Sequence, residues 1–140
     1  MENVEKKFLE AVEIESKLAQ GYTLNFVKRS VVSLAEGEPP DVVDLEFVIP
    51  NSKVRLQFSL AISRGSFLGL RIYNKEGKFF SLNEYLGNHK RDDLMDKLFN
   101  HRRDFPTVMN QMIALFNGDM KGIITGKRWE DIPRDWMGYK

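Results

Sequence analysis

No cysteine occurs among the 140 residues, so disulfides, iron–sulfur clusters, thiolate zinc sites and cysteine nucleophiles are excluded, and a reducing cytoplasm is the expected compartment. Histidine is scarce as well, with only His89 and His101. No apolar run reaches membrane-spanning length, and Met1-Glu2-Asn3-Val4-Glu5-Lys6-Lys7 carries charge where a signal peptide would have its apolar core. Neither sign of charge prevails. With 21 basic and 20 acidic side chains the formal net charge is +1, so nucleic-acid or anionic-membrane binding would need a local patch. Gly-x-Ser-x-Gly, Ser-x-x-Lys and His-Glu-x-x-His are also missing, which removes the usual signs of nucleophilic and metal-assisted hydrolysis. A carboxylate site assembled only by the fold stays open.

What is present is an ordinary apolar share that includes ten phenylalanines, in a chain long enough to bury roughly two thirds of its unfolded surface as one domain, residues 1–140. Val4, Phe8, Ala11, Val12, Leu18 and Ala19 recur at three- and four-residue spacing, which predicts an amphipathic helix over 3–20 with Gly21 as its stop. The period then changes to two. It is loose from Tyr22 to Leu34 and clear beyond the Gly37-Glu38-Pro39-Pro40-Asp41 turn, in Val43, Leu45, Phe47 and Ile49 and in Val54, Leu56, Phe58, Leu60 and Ile62. Pro50 to Lys53 joins these runs as a hairpin. Phe67 to Tyr73 and a short Phe79-Phe80 strand continue a meander of four or five antiparallel strands. The sheet has one wet face, bearing Arg55, Gln57, Ser59, Ser63, Arg71 and Tyr73, where Arg55 is expected to pair with Glu46 or its neighbours. Glu36, Glu38, Asp41, Asp44 and Glu46 read as a solvated turn and strand edge, since they lack calcium-loop spacing.

Ser81-Leu82-Asn83-Glu84 has the capping-box pattern and predicts a short helix ending at Gly87. A second helix is expected over about 89–104 with Leu94, Met95, Leu98 and Phe99 as its apolar stripe, and a third from Pro106 with Val108, Met109, Met112, Ile113 and Phe116, ending at Asn117-Gly118. Ile123-Ile124-Thr125 is β-like. The fold class is therefore α+β: an N-terminal helix, a mainly antiparallel meander, and two or three C-terminal helices on one face of the sheet.

Asn88-His89-Lys90-Arg91-Asp92 returns twelve residues later as Asn100-His101-Arg102-Arg103-Asp104. On a single helix the two histidines would lie about 18 Å apart along the axis and roughly 120° apart around it, so one metal cannot hold both. His101-Arg102-Arg103-Asp104 with Asn110 departs from the protein-kinase catalytic order by an extra arginine and a displaced asparagine. Gly126-Lys127 fails as a phosphate loop, because Arg128 stands where serine or threonine is required. Lys90, Arg91, Arg102, Arg103, Lys127 and Arg128 beside Trp129 suggest a nucleic-acid surface, yet Asp92, Asp93, Asp96 and Asp104 are interleaved, and their placement matches a helix dipole.

The segment Trp129 to Tyr139 concentrates both tryptophans with arginine, the residue types of interface hot spots. The expected function is thus a non-catalytic protein-binding domain, of the inhibitor, toxin-neutralising immunity protein or adaptor kind, contacting its partner through Arg102, Arg103, Arg128, Trp129, Arg134 and Trp136. No cofactor, metal ligand or catalytic residue is assigned. The alternatives are a nucleic-acid-binding accessory domain and a small enzyme with a fold-assembled carboxylate site.

Overall fold

The structure is a computed structural model that describes residues 3–32, 41–101 and 103–132, without the Phe99 side chain. Arg102, Arg134, Trp136 and most of the Gly37 to Asp41 turn lie outside the described residues.

Helix α1 (Asn3–Glu15) turns Phe8, Ala11 and Val12 inward. It ends short of Gly21, because a single 3-10 turn, Ser16–Leu18, tightens its last residues before Ala19 becomes extended at ψ 137°. The Ser16 hydroxyl donates to the Glu13 carbonyl (3.1 Å), a back-bond that competes with helix continuation. Five strands follow as an antiparallel meander in sequence order: β1 (Asn25–Val32), β2 (Val42–Ile49), β3 (Val54–Ala61), β4 (Ser66–Tyr73) and β5 (Phe79–Ser81). The alternation seen in the sequence becomes two faces. Val43, Leu45, Phe47, Ile49, Leu56, Phe58, Leu60, Leu70, Ile72 and Phe80 are all buried on one of them.

The helices gather there. Phe58 is the hub, with its ring 5.1 Å from Phe8 of α1, 5.6 Å from Phe47 and 6.4 Å from Phe67. Helix α2 (Leu82–Asn88) starts at the expected capping box: Glu84 N donates to Ser81 Oγ (3.1 Å) and Ser81 N donates to Glu84 Oε1 (2.8 Å). Helix α3 (Asp92–Asn100) is shorter than the expected 89–104. Lys90 takes φ 56°, a left-handed conformation, and Arg91 N turns back to the Leu86 carbonyl (2.8 Å), so the chain breaks between α2 and α3. Helix α4 (Phe105–Asn117) is capped by Asp104, which accepts from Thr107 N (3.3 Å) and from Thr107 Oγ1 (2.7 Å). These two donors hold the Asp104 carboxyl below its ordinary pKa.

Ile123 and Ile124, expected as β-like, instead form the short helix α5 (Lys121–Ile124), with both side chains fully buried. Core packing overrides the preference of β-branched residues for strands. Among the described residues no helix is long and apolar enough to cross a membrane.

Tyr22 enters the core with its hydroxyl buried and without a hydrogen-bond partner among the described residues. Burial pushes its pKa from 10.0 up to about 12. Burial penalises the phenolate and leaves the neutral phenol unaided, so stability is at its full value below pH 10 and falls as pH rises from 10 toward 12. Two units correspond to about 3 kcal/mol. Tyr22→Phe is expected to abolish this alkaline loss in urea titrations at stepped pH. At neutral pH it should leave stability unchanged or higher by about 1 kcal/mol, since an unsatisfied buried hydroxyl is removed.

Candidate functional site on the open face of the sheet

Period-two alternation that buries one face of β2, β3 and β4 sends Asp44, Glu46, Arg55, Gln57, Ser59, Arg71 and Tyr73 to the other. The Asn74 to Gly77 turn, closed by Asn74 N donating to the Lys78 carbonyl (2.8 Å), sets the register that places Phe79 opposite Tyr73 and Ser81 opposite Arg71. Four side chains consequently stack in one layer. The Tyr73 and Phe79 rings lie 5.0 Å apart, the Arg55 guanidinium sits 4.7 Å above Tyr73, and the Arg71 guanidinium sits 5.6 Å above Phe79.

The layer is fixed from beneath. The Tyr73 hydroxyl donates to Gln57 Oε1 (3.1 Å), Gln57 Nε2 donates to Asp44 Oδ2 (3.5 Å), and the Ser59 hydroxyl donates to Asp44 Oδ1 (2.6 Å). Arg55 Nη1 reaches Glu46 Oε1 at 3.4 Å, the expected cross-strand pair. Beside it lies a hollow of about 380 Å³ lined by Asp44, Ser59, Gly69, Arg71, Ser81 and Asn83. It opens at the β4 bulge between the Ser59 and Leu60 pairings, where Gly69 offers no side chain.

The face sets cationic and aromatic groups side by side. Both carboxylates of the face, Asp44 and Glu46, are engaged by hydrogen-bond donors, and among the described residues no group of three or more histidine, aspartate or glutamate side chains is arranged to hold a metal ion. Arg71 remains exposed on one side of its ring contact. Arginine stacked on aromatic rings provides charge and apolar area with little rotamer freedom left to lose on binding.

The residues singled out in the C-terminal half are placed elsewhere. Trp129 packs on Phe80, 4.9 Å between ring centroids, and is half-buried. Arg128 lays its stem against Gly122, donates through Nη2 to the Asp119 carbonyl (2.8 Å) and pairs with Glu130 (3.4 Å). Arg91 joins the same cluster through Asp119 (2.6 Å), and His89, stacked on Tyr85, meets Glu130 at 2.5 Å. His101 instead caps the far end of α3, so the two histidines do not converge. Arg103 is exposed at that end, outside this cluster. Arg128 and Trp129 are thus adjacent but tie the chain after α5 onto β5 and the α4–α5 turn, and carboxylates flank the arginines that a phosphate would need.

Sequence reasoning reached Arg55, Gln57, Ser59, Arg71 and Tyr73 and missed Phe79. The signal that could have found it is the length of the Asn74 to Lys78 turn, which decides which of two adjacent phenylalanines faces Tyr73. No protein-family model, no curated protein and no solved structure matches this chain.

Proposed function

We propose that this chain is a protein-binding domain without catalysis, of the inhibitor, toxin-neutralising immunity protein or adaptor kind, and that it grips its partner with the open face of the sheet. The observation that carries this reading is the Arg55–Tyr73–Phe79–Arg71 stack, with Arg71 exposed at its end. Two guanidiniums over aromatic rings suit a partner surface that presents carboxylates within an apolar surround. The engaged state of Asp44 and Glu46 favours recognition over acid–base chemistry.

The test is a charge reversal at the exposed end of the stack. Arg71→Glu is expected to weaken partner binding by about 100-fold or more, the range of a hot-spot loss near 3 kcal/mol. Far-UV circular dichroism should stay at the wild-type signal and stability within about 1 kcal/mol of wild type, the worth of an exposed cation–π contact such as Arg71 makes with Phe79. Binding that is indifferent to Arg71→Glu would remove the open face from consideration.

A further inference from the structure

A hollow of about 460 Å³ lies where three connections meet: the Gln20 to Tyr22 segment, the Asn51–Ser52 turn between β2 and β3, and the chain from Lys121 to Lys127. It shares no lining residue with the open face, and its size suits a small molecule. The three connections are tied together. Asn117 of α4 accepts from Gln20 N through Oδ1 (3.0 Å) and donates through Nδ2 to the Leu18 carbonyl (2.9 Å), while the Ser52 hydroxyl donates to the Ile124 carbonyl (2.9 Å). Gly126, at φ 77°, lets the chain pass so close to Ser52 that an added Cβ would lie 2.9 Å from the Ser52 Cβ. The walls are therefore set before any ligand arrives.

The lining chemistry narrows the ligand. Lys121 and Lys127 are exposed, neither has an ion-pair partner among the described residues, and no aspartate or glutamate lines the hollow. Two uncompensated ammonium groups at one hollow favour an anion, and lysine is a common phosphate ligand. The side-chain amides of Gln20 and Asn51 make no hydrogen bond among the described residues, so each is able to donate and to accept, as a ligand hydroxyl requires. Thr125 Oγ1 already donates to the Lys121 carbonyl (2.7 Å), which leaves its lone pairs for a ligand donor. Tyr22 and Ile49, both buried, supply the apolar part of the wall.

We infer that this hollow binds a small hydroxylated phosphate monoester, of sugar-phosphate size, with Lys121 and Lys127 on the phosphate and Gln20 and Asn51 on the hydroxyls. A phosphate monoester carries close to two negative charges at neutral pH and so matches the two ammonium groups, where a carboxylate would leave one of them uncompensated. Both lysines are exposed, so their attraction for the ligand is screened by salt and the affinity is modest. The neutral hydrogen-bonding groups then decide which phosphate is preferred. The ligand is held without any bond being made or broken.

The test titrates glucose-6-phosphate, inorganic phosphate and glucose into the full chain at low salt and follows the backbone amide chemical shifts. Glucose-6-phosphate is expected to shift the amides of Gly21, Asn51 and Lys127 and to bind about tenfold more tightly than inorganic phosphate, while glucose at about 10 mM shifts none of them. Replacing both lysines, Lys121→Gln with Lys127→Gln, should lower the affinity for glucose-6-phosphate about tenfold or more, and Lys90→Gln, outside the hollow, should change it less than about twofold. Asn51→Leu should weaken glucose-6-phosphate about fivefold, the worth of one hydrogen bond, and leave inorganic phosphate unaffected. All four positions are exposed, so each variant should keep the wild-type circular dichroism spectrum. No amide shift with about 10 mM glucose-6-phosphate, equal affinity for inorganic phosphate or for glucose, or binding indifferent to the loss of both lysines would each overturn the proposal. None of these measurements involves Arg71 or a protein partner, so this proposal and the reading of the open face fail separately.

Discussion

Phe58→Ala is expected to lower the free energy of unfolding by about 4 kcal/mol, seen as a lower urea midpoint at an unchanged slope. The side chain is fully buried, and its ring meets Phe8, Phe47 and Phe67 from three different elements. Truncation leaves a cavity that is not easily refilled, because two of those rings are themselves held: Phe8 packs edge-on against Phe105 at 5.4 Å and Phe47 against Phe26 at 5.5 Å. Phe58→Leu keeps most of the volume and should cost less than half as much. If Phe58→Ala costs under about 1 kcal/mol, the ring is not the hub of the core.

The second large effect concerns the ion pair that fastens α1 to the edge strand. Glu5 is fully buried, while the Arg29 side chain keeps 41 % of its exposure. Arg29→Ala strands a buried carboxylate and is expected to cost about 3 kcal/mol. The pair as a whole contributes far less than its rupture costs. Replacing both partners by leucine should leave stability within about 1 kcal/mol of wild type, because the desolvation of Glu5 then no longer needs offsetting. A double variant as unstable as the single one would show that the loss arises from Arg29's other contacts and not from the orphaned charge.

Locally encoded parts of the fold were legible in the sequence. Alternation identified the faces of β2 and β3, the Ser81 to Glu84 box positioned α2, and Pro106 with Asn117-Gly118 bracketed α4. The misses trace to contacts that hydrophobic periodicity and composition do not convey. The 89–104 pattern is helical throughout by composition, yet Lys90 breaks it at a positive φ because Arg91 N is drawn back to Leu86. Ile123 and Ile124 have strand propensity, but they sit where the chain after α4 turns into the core, and a helical turn buries both. Likewise the aromatic and arginine content that drew attention to the C-terminal segment is partly used to close the domain, with Trp129 on Phe80 and Arg128 on Asp119. The arginine–aromatic layer depends on cross-strand register, which composition cannot convey. That β1 is an edge strand was invisible for the same reason, since sequence order alone does not say which strand lacks a neighbour.

The account rests on the open face of the sheet as a recognition surface. Its most direct test is quantitative binding of a partner captured on the immobilised wild-type chain, measured side by side for wild type, Arg71→Glu and Lys7→Glu. Lys7 is exposed on α1, across the helix layer from the open face. The expected result is an affinity about 100-fold lower for Arg71→Glu and within about threefold of wild type for Lys7→Glu, with all three chains equally folded. A partner bound equally well by Arg71→Glu, or lost with Lys7→Glu instead, would contradict it.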